Sequence, residues 1–265
     1  MPVYLDQWAI IDLAVRKADL RKRFIDAIHA GRGPLLFSIA NLWEIGGPQQ
    51  ASKSAVSTFL SDIGPHWIPV NGVGEVLKRE ASSELPQPTS SDFLADYVLE
   101  RRNDKNAAGC SIDPRDPSFF DLGRVAHWVK SGPDPVTVDS VHGELCSMIN
   151  MMRARYESGD PVFDGVAEES LVAGQRTTYV FRQLTLMMIQ DAKSNPVTKH
   201  DFADLCHAIM ALSFGLIVTL DKKWRDRAKA VKHRDKLARV YYAPELEQFV
   251  ADLESATPPW EQDIA

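Results

Sequence analysis

The chain has 265 residues, a formal net charge of −6 and three cysteines; that length buries an ample core in one large or two small domains and needs no disulfide or structural metal for stability. Cys110, Cys146 and Cys206 lie far apart and form no C-x-x-C pair, which reads as a reduced cytoplasmic protein, and the lack of a basic and apolar leader or of ~18 consecutive apolar residues argues against secretion and a membrane span. The negative charge excludes wholesale affinity for polyanions, so any nucleic-acid contact has to be local, from the basic runs Arg16–Arg23 and Lys222–Arg239.

A short apolar strand over Val3–Leu5 opens the chain, followed by a helical segment near Gln7–Ala14. A second helix, about Asp19–Ala30, is stopped by Gly31 and Gly33 before Pro34. Leu35–Ser38 reads as the second strand and passes into a helix carrying Glu44 and ending near Gly46, Gly47 and Pro48. Another helix runs from about Gln49 to Ile63, and Trp67–Val70 reads as a third strand in which Pro69 indicates a sheet edge. This βαβαβ alternation favours a parallel sheet.

From Asn71 to Asn195 the alternation stops for about 125 residues, too long for a structureless loop in a compact domain. Ser82–Ser90 and Ser131–Pro135 are linker-like, Phe93–Arg102 and Phe119–Lys130 look helical, and Thr137–Tyr156 and Glu169–Ala192 carry apolar residues at helical spacing. The expectation is an α-helical insertion subdomain over 72–195, with Met-rich faces suited to covering one side of a groove or to a homodimer or protein partner. After it come a helix from about Thr198 stopped by Gly215, a strand over Leu216–Leu220, a charged helix or loop from Lys222, a last strand over Ala238–Tyr242, and a terminal amphipathic helix opened by Pro244. Residues 257–265 read as a flexible tail.

The acids fall where these elements end. Asp6 follows the first strand, Glu44 sits in the helix after the second, Asp204 lies near the start of the late helix and Asp221 closes the strand behind it. In open α/β sheets, sites are built outside the carboxyl ends of the strands. Each acid also has a plain explanation: a turn-forming Asp6, an exposed helical Glu44, and Asp221 as the cap of the following helix. Asp201, three residues after Thr198, fits a capping box. Lone histidines such as His127 and His142 form no ligand-spaced pair with each other, which argues against a histidine-rich metal centre.

Taken in order, YLDQW, SIANLWEIG and DLCHAIMALSFGLIVTLD resemble the PIN-domain nuclease family, over roughly the first 70 and the last 70 residues. The resemblance implies an α/β fold, a PIN-like three-layer α/β/α architecture with a central parallel sheet, here formed by residues 1–71 and 196–256 around the large α-helical insertion. It implies metal-dependent endoribonuclease chemistry, in which Asp6, Glu44, Asp204 and Asp221, with Asp201 joining through a water, hold Mg²⁺ or Mn²⁺ that activates water against an RNA phosphodiester and leaves a 5′-phosphate and a 3′-hydroxyl. Clustered carboxylates repel one another and hold raised pKa values, which implies neutral to alkaline activity. Gln7, Ser38, Thr219 and His207 match positions beside the acids, although Gln7 departs from the residue usual there. Lys222, Lys223 and Arg225 are candidates for holding phosphates of single-stranded RNA. Trp224, Trp8 and Trp43 lie near the acids, where Trp224 is the best placed to stack on a base. Two other functions fit the same residues: a catalytically inactive scaffold binding nucleic acid or protein, and a structure-specific DNA nuclease.

Overall fold

The computed structural model describes residues 1–38, 40–41, 44, 53–70, 72–82, 122, 138–160, 175–191, 199–215, 217–231 and 238–256. The helices expected at 93–102 and, apart from Leu122, at 119–130 lie outside the described residues, as do the linker-like stretches 83–90 and 131–135, Trp43 and the tail. The architecture is a three-layer α/β/α sandwich around a five-stranded sheet in which every pairing is parallel.

The strands are β1 (Val3–Tyr4), β2 (Leu35–Ser38), β3 (Trp67–Val70), β4 (Ile217–Thr219) and β5 (Arg239–Tyr241). Their order is β3-β2-β1-β4-β5, so Pro69 does lie in an edge strand. The helices are α1 (Gln7–Ile11, continuing as a π turn over Asp12–Arg16), α2 (Ala18–His29), α3 (Lys53–Asp62), α4 (Val73–Ala81), α5 (Val138–Glu157), α6 (Arg176–Asp191), α7 (Lys199–Phe214), α8 (Lys222–Ala230) and α9 (Leu246–Glu254). Among the described residues, no helix is long and apolar enough to cross a membrane.

Strand alternation sends side chains to the two faces in turn. Val3, Leu35, Phe37, Ile217 and Tyr241 face one layer, where they meet Ile10 and Leu13 beside α1, Phe24 and Ile28 of α2, Phe59 and Leu60 of α3, and Phe249 and Leu253 of α9. Tyr4, Leu36 and Val218 face the other, where α5, α6, α7 and α8 contribute Ile149, Tyr179, Leu184, Leu205, Ile209 and Trp224. The two long helices from the middle of the chain therefore pack into the core of this second layer. Gly31 at the end of α2 has φ 74°, the left-handed conformation in which glycine ends a helix without penalty. At Gly215 the requirement is space: a Cβ would lie 2.3 Å from Val218 Cγ1 and 2.7 Å from the Ala211 carbonyl oxygen.

Helix α4 was not anticipated: Gly72 at its N-cap and Gly74 in its first turn are residues that weaken a helical pattern. Its buried face is set by Val76 and Glu80, four residues apart. Glu80 accepts hydrogen bonds from the Thr177 N–H (2.8 Å), the Thr178 N–H (2.6 Å) and the Thr178 hydroxyl (2.6 Å), and so serves donors at the start of α6 that have no partner within the helix. Glu80→Ala is expected to lower stability by about 1–3 kcal/mol, because it strands those donors in a buried place. Urea denaturation checks this as a lower midpoint at unchanged slope, and an unchanged midpoint would refute the clasp.

Candidate active site at the sheet switch point

The strand order reverses between β1 and β4: the chain moves from β1 to β2 and β3 on one side, and from β4 to β5 on the other. Such a reversal opens a crevice at the carboxyl ends of the strands. Asp6 leaves β1 and Asp221 leaves β4 at this point, and the Asp6 N–H donates to Thr219 Oγ1 at 3.0 Å, tying the two strand exits together. Both acids are helix N-caps: Asp6 Oδ1 accepts from the Ala9 N–H (3.3 Å) and Asp221 Oδ1 from the Trp224 N–H (2.7 Å).

Helix α7 brings Asp204 and His207 to the same edge, and the helical residues 40, 41 and 44 bring Asn41 and Glu44. His207 Nδ1 lies 2.6 Å from the Tyr4 hydroxyl, which is 2.8 Å from Ser38 Oγ, and His207 Nε2 lies 2.8 Å from Glu44 Oε2. The direction of these bonds follows from Asn41. Its Nδ2 donates to the Leu5 carbonyl (2.8 Å), so its Oδ1 is the atom accepting from the Ser38 N–H (2.8 Å) and the Ser38 hydroxyl (3.1 Å). With its proton given to Asn41, Ser38 accepts from the Tyr4 hydroxyl. Tyr4, having spent its single proton, accepts from His207 Nδ1–H. The Glu44 carboxylate takes Nε2–H, so both imidazole nitrogens carry protons and His207 is an imidazolium. Burial alone would lower its pKa, but the adjoining Glu44 carboxylate, helped by Asp6 and Asp204, raises it.

The remaining acids are pushed towards their neutral forms. Burial raises Asp6 well above the usual carboxylate range, His207 and the Ala9 N–H oppose the rise, and Glu44 and Asp204 add to it. Asp204 is raised from 3.8 to about 7 by burial first and then by Asp221 and Glu44, with His207 pulling the other way. The Trp224 indole lies near enough to favour the Asp204 anion, yet its Nε1–H reaches no acceptor in hydrogen-bond geometry. Asp204 is nevertheless partly open to solvent, whereas Asp6 and His207 are buried.

The expectation of Mg²⁺ or Mn²⁺ at this edge is corrected. Among the described residues, no three His, Cys, Asp or Glu side chains form a group able to hold a metal ion. The physical reason lies in the partners of the proposed ligands. Glu44 turns to His207, Asp6 and Asp221 cap their helices, and Asp201 pairs with Lys223, so the acids share an edge and feel one another's charge without a common focus.

The other nominated residues are placed as follows. Gln7 Nε2 donates to the Glu44 carbonyl (2.9 Å), fastening that helix to α1. Lys222 Nζ donates to Asp226 (2.9 Å) and is exposed. Arg225 pairs with Glu245 and lies 4.3 Å over the Tyr242 ring. Trp224 is 1% exposed and belongs to the second core cluster, so its faces are not open to a base; Trp8 packs against the first. In the run Arg16–Arg23, Arg16 pairs with Asp12, Arg21 with Asp62, Lys22 with Asp26 and Arg23 with Glu254.

Tyr4 and Asn41 join the site although the sequence did not nominate them. A signal for each existed: a tyrosine on the face opposite Val3 has to find a partner for its hydroxyl when buried, and an Asn three residues after a strand-end Ser is placed to bond that residue's backbone. The chain matches no protein-family model, and no curated protein and no solved structure matches it either.

Proposed function

We propose that the chain is a PIN-like endoribonuclease that hydrolyses RNA phosphodiester bonds at the switch-point edge. The observation that carries this reading is Asp204, a solvent-reachable carboxyl raised to about 7 beside the buried Asp6 and the Glu44–His207 pair, because a general base works best when its pKa lies near the operating pH. Ionised Asp204 takes a proton from the attacking water, the water oxygen bonds to phosphorus, and the bond from phosphorus to the 3′-oxygen breaks, with solvent returning a proton to that oxygen. His207 touches no substrate in this scheme; its fixed positive charge offsets the surrounding acids and holds Glu44. Lys222, exposed at the first turn of α8, is the cation nearest in sequence to Asp221, and in this reading it leaves Asp226 to meet the substrate phosphate.

A second reading is favoured by a specific observation. Glu44 and Asp221 are both engaged in structural bonds, as befits a scaffold that binds RNA without cutting it. Incubating the purified chain with an end-labelled single-stranded RNA decides between the two. Cleavage is expected to rise about tenfold per pH unit below 7 and then level off as Asp204 ionises, and Asp204→Asn is expected to lower the rate by a factor of about 10²–10⁴. Bound but uncut RNA at every pH would reject the enzyme reading in favour of the scaffold. Equal cleavage by the parent and the Asn variant would remove Asp204 from the chemistry.

A further inference from the structure

We infer that a notch along the outer edge of β5 is a phosphate subsite for single-stranded RNA. This rests on the RNA reading above and deepens it. The notch has a volume of about 420 Å³, of the size that holds a small ligand, and its lining includes Arg225 and Lys229 of α8, Arg239, Val240 and Tyr241 of β5, and Glu245. Three cations against one acid make it locally positive on a chain whose net charge is −6.

Two of the notch's three cations, Lys229 and Arg239, differ from the other described cations of the two basic runs, Lys17 excepted. Arg16, Arg21, Lys22, Arg23, Lys222 and Lys223 each have a carboxylate partner, and Arg225 spends its guanidinium on Glu245 and the Tyr242 ring. Among the described residues, Lys229 and Arg239 are paired with no carboxylate. Arg239 instead lies near enough to the Tyr241 hydroxyl to favour its ionised form. Lys229 and Arg239 are also exposed, so an incoming phosphate meets them without first breaking an ion pair.

The backbone supplies a further donor. In the parallel ladder the Leu220 N–H donates to the Tyr241 carbonyl at 2.9 Å, so Tyr241, and by alternation Arg239, directs its polar groups to β4. Val240 between them presents its N–H and C=O to the outer side, where no described strand pairs with β5. An amide N–H flanked by an arginine and a lysine is a phosphate-binding combination. Position links the notch to the chemistry. Helix α8 is capped by Asp221, and Arg225 and Lys229 follow four and eight residues after that acid on one face, so Lys229 lies about 12 Å along the helix from it.

The test uses the full chain and reads binding apart from cleavage. Labelled decauridylate followed by fluorescence anisotropy is expected to bind Lys229→Ala/Arg239→Ala about tenfold more weakly than the parent, with the salt dependence flattened by about 1.4 for two lost contacts on a single strand. Both side chains are exposed, so folding should not suffer, and Lys229→Glu should weaken binding further. In nitrogen–proton correlation spectra, 5′-phosphorylated diuridylate should shift the Val240 amide. Unchanged affinity and salt slope, or shifts confined to residues at the acidic edge, overturn the notch. Cleavage of the same RNA with a silent notch sinks this inference alone. Notch binding without cleavage sinks the hydrolase reading alone, and an RNA that binds nowhere on the chain sinks both.

Discussion

His207→Ala is expected to cost roughly 3–5 kcal/mol of stability, the usual loss when one partner of a buried ion pair is removed and the other stays behind. The imidazolium is 2% exposed and Glu44 13%, so neither is rescued by water. Truncation strands the Glu44 carboxylate and leaves the Tyr4 oxygen without the donor at 2.6 Å, at a point where β1, β2 and α7 meet. Tyr4→Phe is expected to cost less, about 1–3 kcal/mol, since Ser38 keeps Asn41 as its acceptor. A double-mutant cycle between Tyr4 and His207 should give a coupling of about 0.5–3 kcal/mol. The pH dependence separates an imidazolium from a neutral ring. A histidine whose folded pKa is raised above 6.5 stabilises the fold fully below that value, and the contribution fades as pH rises through the folded pKa. The gap between the parent and His207→Ala should therefore be widest at pH 6 and shrink in alkali. A gap that grows with pH, or a loss under about 1 kcal/mol at pH 6, would show that the ring is neutral and the donor chain runs the other way.

The sheet was legible in the sequence because its strands are short apolar runs bounded by turn residues and acids. Leu35–Ser38 and Trp67–Val70 coincide with β2 and β3, and Pro69 marked the edge because a proline cannot serve a ladder on both sides. The helix stops at Gly31 and Gly215 were equally visible, since one needs a left-handed backbone and the other the space of a missing side chain. The packing of the middle helices was not legible. Tyr179 and Leu184 read as part of the apolar stripe of an insertion, and a stripe does not say which surface it will meet; here they join Ile149 in a cluster with Leu205 and Ile209 of α7 over the sheet. Helix α4 was hidden by Gly72 at its N-cap and Gly74 in its first turn.

At the site, the sequence located the acids at strand exits but not what each does there. Asp6 and Asp221 stand in β-to-α turns, where the same carboxylate serves a helix cap or a ligand, and composition cannot separate the two uses. The separation needs long-range geometry. His207 turns Glu44 inward because Tyr4, 203 residues away in the chain, fixes the other side of the ring. The metal expectation failed on that point, since it took proximity to one edge as convergence on one centre.

Asp204→Asn should make the protein more stable in alkali than its parent while removing the proposed base. Asp204 titrates at 3.8 when free and near 7 in the fold, so between those values the folded chain binds a proton that the unfolded chain has lost. Stability then falls as pH rises through this window and settles at a lower level above it, where burial and Asp221 work against the charged carboxylate. Asparagine keeps the shape and carries no charge at any pH, so its curve should be flat over the same range. The two proteins should be close near pH 4 and diverge towards pH 8. At about 1.4 kcal/mol per pKa unit, and with solvent at the partly open carboxyl screening part of the effect, the variant should lead by roughly 1–3 kcal/mol at pH 8. His207 adds a decline of its own above 6.5 in both proteins, and because the Asp204 carboxylate helps to raise the His207 pKa, that decline begins at a somewhat lower pH in the variant. Thermal or urea denaturation across pH 4–8 reads the effect without any substrate. Parallel curves would mean that Asp204 titrates normally, and the edge would then lose the group on which neutral-pH proton transfer depends.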